Sequence, residues 1–139
     1  MRAHPFGSSP SGGGAGPTYI CRVQTSPPVL AAVVVVSDRS AAGEREDRSG
    51  PVAVEKLAAA GFTVGVAVVV PDGSQSVESA LRAALGAGAR FVVTSGGTGV
   101  GPRDQTPEGT LPVIDRHLPG IAELLRRCLL YTSPSPRDS

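Results

Sequence analysis

Apolar residues in this chain fall into three runs, with helical stripes between them. Residues 29–36 (VLAAVVVV) form a continuous run rich in β-branched side chains, residues 62–70 (FTVGVAVVV) form a similar one, and residues 91–94 (FVVT) a shorter one. Uninterrupted rather than alternating apolar strands imply burial on both faces, the situation of a parallel sheet covered by helices. Pro51 suits a first helical turn, residues 52–60 are rich in helix formers, and Gly61 stands where a C-terminal cap belongs. A second helix is expected over residues 76–85, with Val77, Leu81 and Leu85 on one stripe and Gly86 and Gly88 ending it. After the third run and a Gly-rich loop, Thr106-Pro107-Glu108 reads as N-cap, Pro at the first helical position and an acid near the positive end of the helix dipole. Leu111, Ile114 and Leu118 continue that helix as a stripe until Pro119-Gly120 breaks it, and residues 121–127 begin another. The order β-α-β-α-β-α-α predicts an open α/β sheet with right-handed crossovers.

The flanks read differently. Residues 1–28 carry no hydrophobic period and are dense in Gly, Pro and Ser, so they are expected to be a disordered extension. They lack the apolar segment of a secretory signal, and the run at 29–36 is too short to span a bilayer. At the other end, residues 128–138 (CLLYTSPSPRD) resemble a translated sequencing-library adapter. Residues 128–139 are therefore expected to be coil foreign to the fold, and the natural chain to continue past Arg127. The domain proper is placed at 29–127. Three strands are few for this architecture, which also suggests that the C-terminal part of the domain is missing.

Composition narrows the function classes. The chain has 139 residues, enough for one domain, with 13 Lys+Arg against 12 Asp+Glu and a net charge of +1. That balance offers no basic stripe for nucleic acid and no polybasic membrane patch. Aromatics are only 4% and Trp is absent, which removes base-stacking platforms. Cys21 and Cys128 both lie in the flanks, leaving no disulfide framework or thiolate metal site, and a reducing cytoplasm is the natural compartment. His4 and His117 are isolated, without a second ligand at metal spacing.

Ligands of open α/β sheets bind at the carboxyl ends of the strands. Three polar loops belong there: Ser37-Asp38-Arg39, Pro71-Asp72-Gly73, and the stretch from Ser95 to Asp104 (SGGTGVGPRD). Glycines let backbone N–H groups approach an anion, and Ser95 and Thr98 add hydroxyl donors, so the third loop fits a phosphate. It lacks the Gly-Lys-Ser/Thr of a Walker A loop, and it follows the third strand rather than the first, unlike a dinucleotide fingerprint. On spacing alone, a plain connecting loop fits as well as a phosphate cradle. The helix opening at Thr106 adds free N–H groups. Asp104 either caps that helix or, beside phosphates, holds Mg²⁺. Asp72 either belongs to a Pro-Asp-Gly turn or shares that metal. Arg39 and Arg103 either pair with these acids or clamp an anionic ligand. The cluster at 44–48 (EREDR) reads as a solvated loop face, with Asp47 or Ser49 near a helix start.

Residues 94–108 (TSGGTGVGPRDQTPE) resemble the signature loop of the MoaB/Mog family of molybdenum cofactor biosynthesis, related to the G domain of gephyrin. The likeness extends to Val35-Val36-Ser37-Asp38-Arg39, Asp47-Arg48-Ser49-Gly50-Pro51, Pro71-Asp72 and Leu118-Pro119-Gly120-Ile121. MoeA-like and CinA-like relatives share the Gly-Gly-Thr-Gly element, but the Arg103-Asp104-x-Thr106-Pro107-Glu108 continuation separates this branch from them. The resemblance implies a three-layer α/β sandwich with a mostly parallel sheet, assembled as a trimer or hexamer. It implies a molybdopterin adenylyltransferase that transfers AMP from Mg-ATP to the molybdopterin phosphate, releases pyrophosphate, and serves a downstream molybdenum insertase. A non-catalytic molybdopterin-binding or scaffold module is the alternative. By the same resemblance, Asp72 and Asp104 are the catalytic acids and Mg²⁺ ligands, and Ser37, Asp38, Ser95, Gly96, Gly97, Thr98, Gly99 and Thr106 bind substrate and phosphate. Gln105 and Gly109 depart from the apolar residue and the Ala common in the family, and Gly109 is expected to cost up to about 1 kcal/mol of helix stability.

Overall fold

The run at 29–36 becomes the central strand of a parallel sheet, with strands paired on both of its edges and its uninterrupted apolar side chains buried on both faces. The computed structural model of the chain describes residues 27–132, and its first strand, β1, spans Leu30–Val36. Ala31, Val33, Val34, Val35 and Val36 are all buried. Two short strands, β2 (Thr63–Val64) and β3 (Val68–Val70), pair with β1 in parallel, as does β4 (Phe91–Ser95). Ala31 is paired with both Val64 and Phe91, and Val34 with both Val68 and Thr94. β2 and β3 therefore share one side of β1 and β4 takes the other.

The second apolar run was expected as one strand, but the structure breaks it. From Ala31 to Val34 β1 advances three residues while its partner advances four, from Val64 to Val68. The extra residue falls at Gly65-Val66-Ala67, where Val66 is 90% exposed. A one-residue bulge of this kind leaves the ladder locally unpaired.

Helix α1 (Asp38–Ala41) is a single turn within the loop after β1, and α2 (Ser49–Ala59) follows it. Side chains alternate across a strand, so contacts assign the helices to faces. Gly50 of α2 lies against Val35, whereas Val34 and Val36 form the core cluster with Val77 and Leu81 of α3 (Ser74–Gly86). α2 and α3 thus cover opposite faces, giving helix, sheet and helix layers. Phe62 and Phe91 stack with ring centroids 5.0 Å apart on the α2 side, where Ala31 between them is small. The predicted stripe on α3 holds for Val77, fully buried, and Leu81, while Leu85 is 48% exposed. Eight residues rotate a helix by about 80° beyond whole turns, which carries Leu85 off the sheet.

Helix α4 (Thr106–Thr110) is much shorter than the stripe Leu111–Ile114–Leu118 suggests, and those three side chains are exposed. Pro112 brings no N–H to the helical ladder and its ring crowds the preceding turn. The chain instead turns through residues 111–113, where Arg82 Nη2 on α3 donates to the Pro112 carbonyl at 3.2 Å. Helix α5 spans Pro119–Thr132. Residues 128–132, expected as coil, continue it, since Leu125 and Leu129 extend the helical spacing set by Ile121. The expectations for residues 1–26 and 133–139 lie outside the described residues. Among the described residues no helix is long and apolar enough to cross a membrane.

Candidate functional site

The chain leaves β1 in one direction to reach β2 and β3, then crosses back over β1 to β4. Its crossover helices α2 and α3 accordingly lie on opposite faces, and the loops after β1 and β4 diverge. Such a switch point leaves a crevice at the carboxyl ends of the two strands. The crevice is present here as a cleft of about 300 Å³. Ser37 and Ser40 line one wall, Ser95 and Gly96 the other, and residues 45–49 the third.

The Gly-rich loop is built on two residues with positive φ, Gly96 at 97° and Gly97 at 62°. A Cβ at Gly96 would collide with the Val36 carbonyl, and one at Gly97 with Thr106 Oγ1. Only glycine lets the backbone pass this close to the end of β1 while keeping that turn. Thr106 holds the loop from below: its Oγ1 donates to the Gly96 carbonyl at 2.8 Å and its N–H to the Gly97 carbonyl at 3.0 Å. It is only 3% exposed. Both of its donors are therefore engaged in shaping the loop rather than turned to a ligand.

Two carboxylates flank this loop. Asp72 lies at its inner limb, with Oδ1 3.2 Å from where a Cβ on Gly97 would stand. Asp104 lies at its outer limb, where Oδ2 accepts from the Gly101 N–H at 2.9 Å and stands 2.8 Å from a Cβ position on Gly99. Thr98 and Gly99 are exposed on that outer limb.

Asp38, Asp72 and Arg103 join the three loops. The Asp38 N–H donates to Asp72 Oδ2 at 2.8 Å, and the Asp72 N–H donates back to Asp38 Oδ1 at 3.0 Å. Arg103 grips the Asp38 carboxylate with Nε at 2.6 Å from Oδ2 and Nη2 at 2.9 Å from Oδ1. Its Nη2 also donates to the Asp72 carbonyl at 3.0 Å. Hydrogen bonds from the guanidinium are the largest influence and hold the Asp38 carboxyl below its ordinary range; desolvation opposes them, and the Asp72 N–H adds a smaller lowering. Of the two options for Arg103, pairing with an acid is the one realised. Arg39 is exposed at α1, where its carbonyl accepts from Glu44 and Arg45 N–H groups.

Ser37 caps α1, its Oγ accepting from the Ser40 N–H at 3.3 Å, and its own N–H donates to the Val70 carbonyl. The third wall of the cleft is the feature that sequence reasoning missed. Residues 44–48 read from sequence as a solvated face, and most are exposed, yet Arg45, Glu46, Asp47 and Arg48 line the cleft. They are brought there by the cap of α2: Asp47 Oδ1 accepts from the Ser49 N–H, the Ser49 hydroxyl and the Gly50 N–H at 3.0–3.1 Å. The Asp-x-Ser-Gly spacing ahead of Pro51 is the signal that carries this turn. His117 is exposed, as expected of a solvated residue.

A family model described as "Probable molybdopterin binding domain" matches residues 32–134. The chain is 41% identical over 99 residues to the molybdenum cofactor biosynthesis bifunctional protein of Synechococcus elongatus, covering 71% of this chain and 31% of that protein. It is 46% identical over 86 residues to the molybdopterin adenylyltransferase of Pyrococcus furiosus, covering 62% and 50%. The crystal structure of a molybdopterin biosynthesis protein from Mycobacterium abscessus superposes with a TM-score of 0.70 at 47% identity, over 74% of this chain and 65% of that one. The chain thus spans about a third to a half of the length of these two curated relatives.

Proposed function

This chain belongs to the MoaB/Mog family of molybdopterin-binding domains, and from that premise we propose that it adenylylates molybdopterin, transferring AMP from Mg-ATP to the molybdopterin phosphate. The observation that carries the reading is the Gly96–Gly97 loop, bent by two positive φ angles over Thr106 with a carboxylate on each limb. A phosphate oxygen of molybdopterin attacks the α-phosphorus of ATP, the new P–O bond forms, and the bond to the β-phosphate oxygen breaks to release pyrophosphate. Little covalent work falls to the protein, so positioning and charge stabilisation carry the rate. Backbone N–H groups of residues 96–99 and the hydroxyls of Ser95 and Thr98 cradle the phosphates. Ser37 faces the rest of the ligand in the cleft. Thr106 and Asp38 serve the site by holding its backbone.

Asp72 and Asp104 each keep one carboxylate oxygen outside the hydrogen bonds described above. Among the described residues no three His, Cys, Asp or Glu side chains form a group that could hold a metal. Two single carboxylate oxygens beside a phosphate cradle suit Mg²⁺, which keeps waters and takes further ligands from substrate phosphates. When bound, Mg²⁺ offsets the charge on the transferred phosphoryl group. The same family resemblance supports a cytoplasmic trimer or hexamer that passes its product to a molybdenum insertase.

The test is incubation of the protein with molybdopterin and Mg-ATP, following pyrophosphate and the AMP adduct together. One pyrophosphate per adduct is expected, with Asp72→Asn and Asp104→Asn each slowing turnover by about 10-fold or more. Full rates in either variant would remove that carboxylate from the mechanism. Molybdopterin binding without adduct formation would favour the binding-only module.

A further inference from the structure

We propose that Arg103 is a positioning residue: it sets the Asp72 carboxylate by clamping Asp38, and it does not bind the anionic substrate. The inference rests on the adenylyltransferase reading for the role of Asp72, but the clamp itself is read from geometry. Arg103 reaches 65 residues back along the chain to take both oxygens of Asp38. Asp38 and Asp72 are locked to each other by reciprocal N–H to carboxylate bonds, which fix both backbones and leave Asp72 Oδ1 as its open oxygen. The second bond of Nη2, to the Asp72 carbonyl, ties the Gly-rich loop directly to the loop after β3. One guanidinium therefore joins the loops after β1, β3 and β4. Its Nε and Nη2 are both committed to these contacts, and Asp38 Oδ1 accepts from Arg103 Nη2 and the Asp72 N–H together. Cationic side chains on the ligand cleft come instead from Arg45 and Arg48.

Lysine cannot reproduce a two-nitrogen grip on a carboxylate. Arg103→Lys should therefore behave like Arg103→Gln, although it keeps the charge. Outer-shell partners of a metal-ligating group typically change affinity or rate 10–100-fold. We expect both variants to lower kcat by about that factor, with KM for ATP and molybdopterin little changed and a weaker apparent affinity for Mg²⁺. Asp38→Asn combined with Arg103→Gln should be no slower than the worse single variant, because both act through one contact. Independently of catalysis, amide hydrogen exchange should speed up at Asp38, Asp72 and residues 96–104 in Arg103→Lys, while β1 and α3 stay protected. A rise in KM with unchanged kcat, or additive losses in the double variant, would overturn the proposal in favour of direct substrate binding. Unchanged exchange in the three loops would overturn the clamp outright. If the wild type forms no adduct at all, the adenylyltransferase reading fails. Loop exchange in Arg103→Lys then still decides whether the clamp stands.

Discussion

Gly109 shows how one missing side chain sets the distance between two helices. A Cβ there would collide with the Ser74 carbonyl and stand 2.7 Å from the Val77 Cβ, so α4 meets the start of α3 backbone against backbone. The helix-propensity argument for Ala at this position, about 1 kcal/mol, is therefore outweighed by crowding. Gly109→Ala is expected to lower stability by about 1–3 kcal/mol in urea titration, the usual cost of overfilling a packed contact. A gain in stability would mean that α4 can move away from α3 freely. Gly97 differs, because both its turn and its neighbours matter. Gly97→Ala adds about 1–2 kcal/mol of left-handed strain and presses on Thr106. Besides a lower Tm, it should weaken molybdopterin binding, measured by calorimetry, because the loop can no longer follow the end of β1. Equal affinity in a less stable protein would separate the loop from the ligand.

Element by element, the sequence was informative where a period ran unbroken. β1 and α3 declare themselves through a continuous β-branched run and an i, i+4 stripe, and both form the core. The break between β2 and β3 has one mark in the sequence, Gly65, since a glycine inside a strand run suggests a bulge, but the apolar Val66-Ala67 that follow mask it. The end of α4 was in plain view at Pro112, but the stripe of Leu111, Ile114 and Leu118 overrode it. The Gly-rich loop and its flanking acids could be found from strand order alone. The Asp38–Arg103 pairing could not, since sequence spacing says nothing about which acid an arginine 65 residues away will choose. Gln105 illustrates the same limit. It looks like a polar intruder at an apolar position, yet its Oε1 accepts from the Ser74 N–H at 3.2 Å and its Nε2 donates to the Pro102 carbonyl at 3.2 Å. Helix α3 begins after Gly73, which has no side chain to cap it, so Gln105 performs that task from another loop. Gln105→Leu should restore apolar character but leave the α3 N-terminus short of an acceptor. A loss of about 0.5–2 kcal/mol is expected, comparable to removing a helix cap. A neutral outcome in chemical denaturation would mean that water replaces the carboxamide.

At the scale of the whole molecule, the site exists because the four described strands all run the same way. Parallel pairing delivers the loops after β1, β3 and β4 to one edge, and the reversal of direction at β1 opens the cleft between them. Loops gathered in this way need a tie, and here the tie is ionic. The Asp38 carboxyl is held below its ordinary value of 3.8, first by its hydrogen bonds with Arg103. A depressed carboxyl contributes stability that is fully present above its unfolded pKa and is lost as pH falls through the folded value. The contribution should therefore be constant from neutral pH down to about 5, and should fall away progressively below about 4 as pH drops through the lowered folded value. In urea titrations across this range, the wild type should lose stability more steeply in acid than Asp38→Asn, which has no charge there to lose. The two curves should converge at the acid end. Raised salt should narrow the gap between the two proteins at neutral pH, because both partners of the pair are exposed to solvent and open to screening. Parallel curves for wild type and Asp38→Asn throughout would show that the ion pair does not hold the edge together, and that the reciprocal N–H bonds and Thr106 suffice.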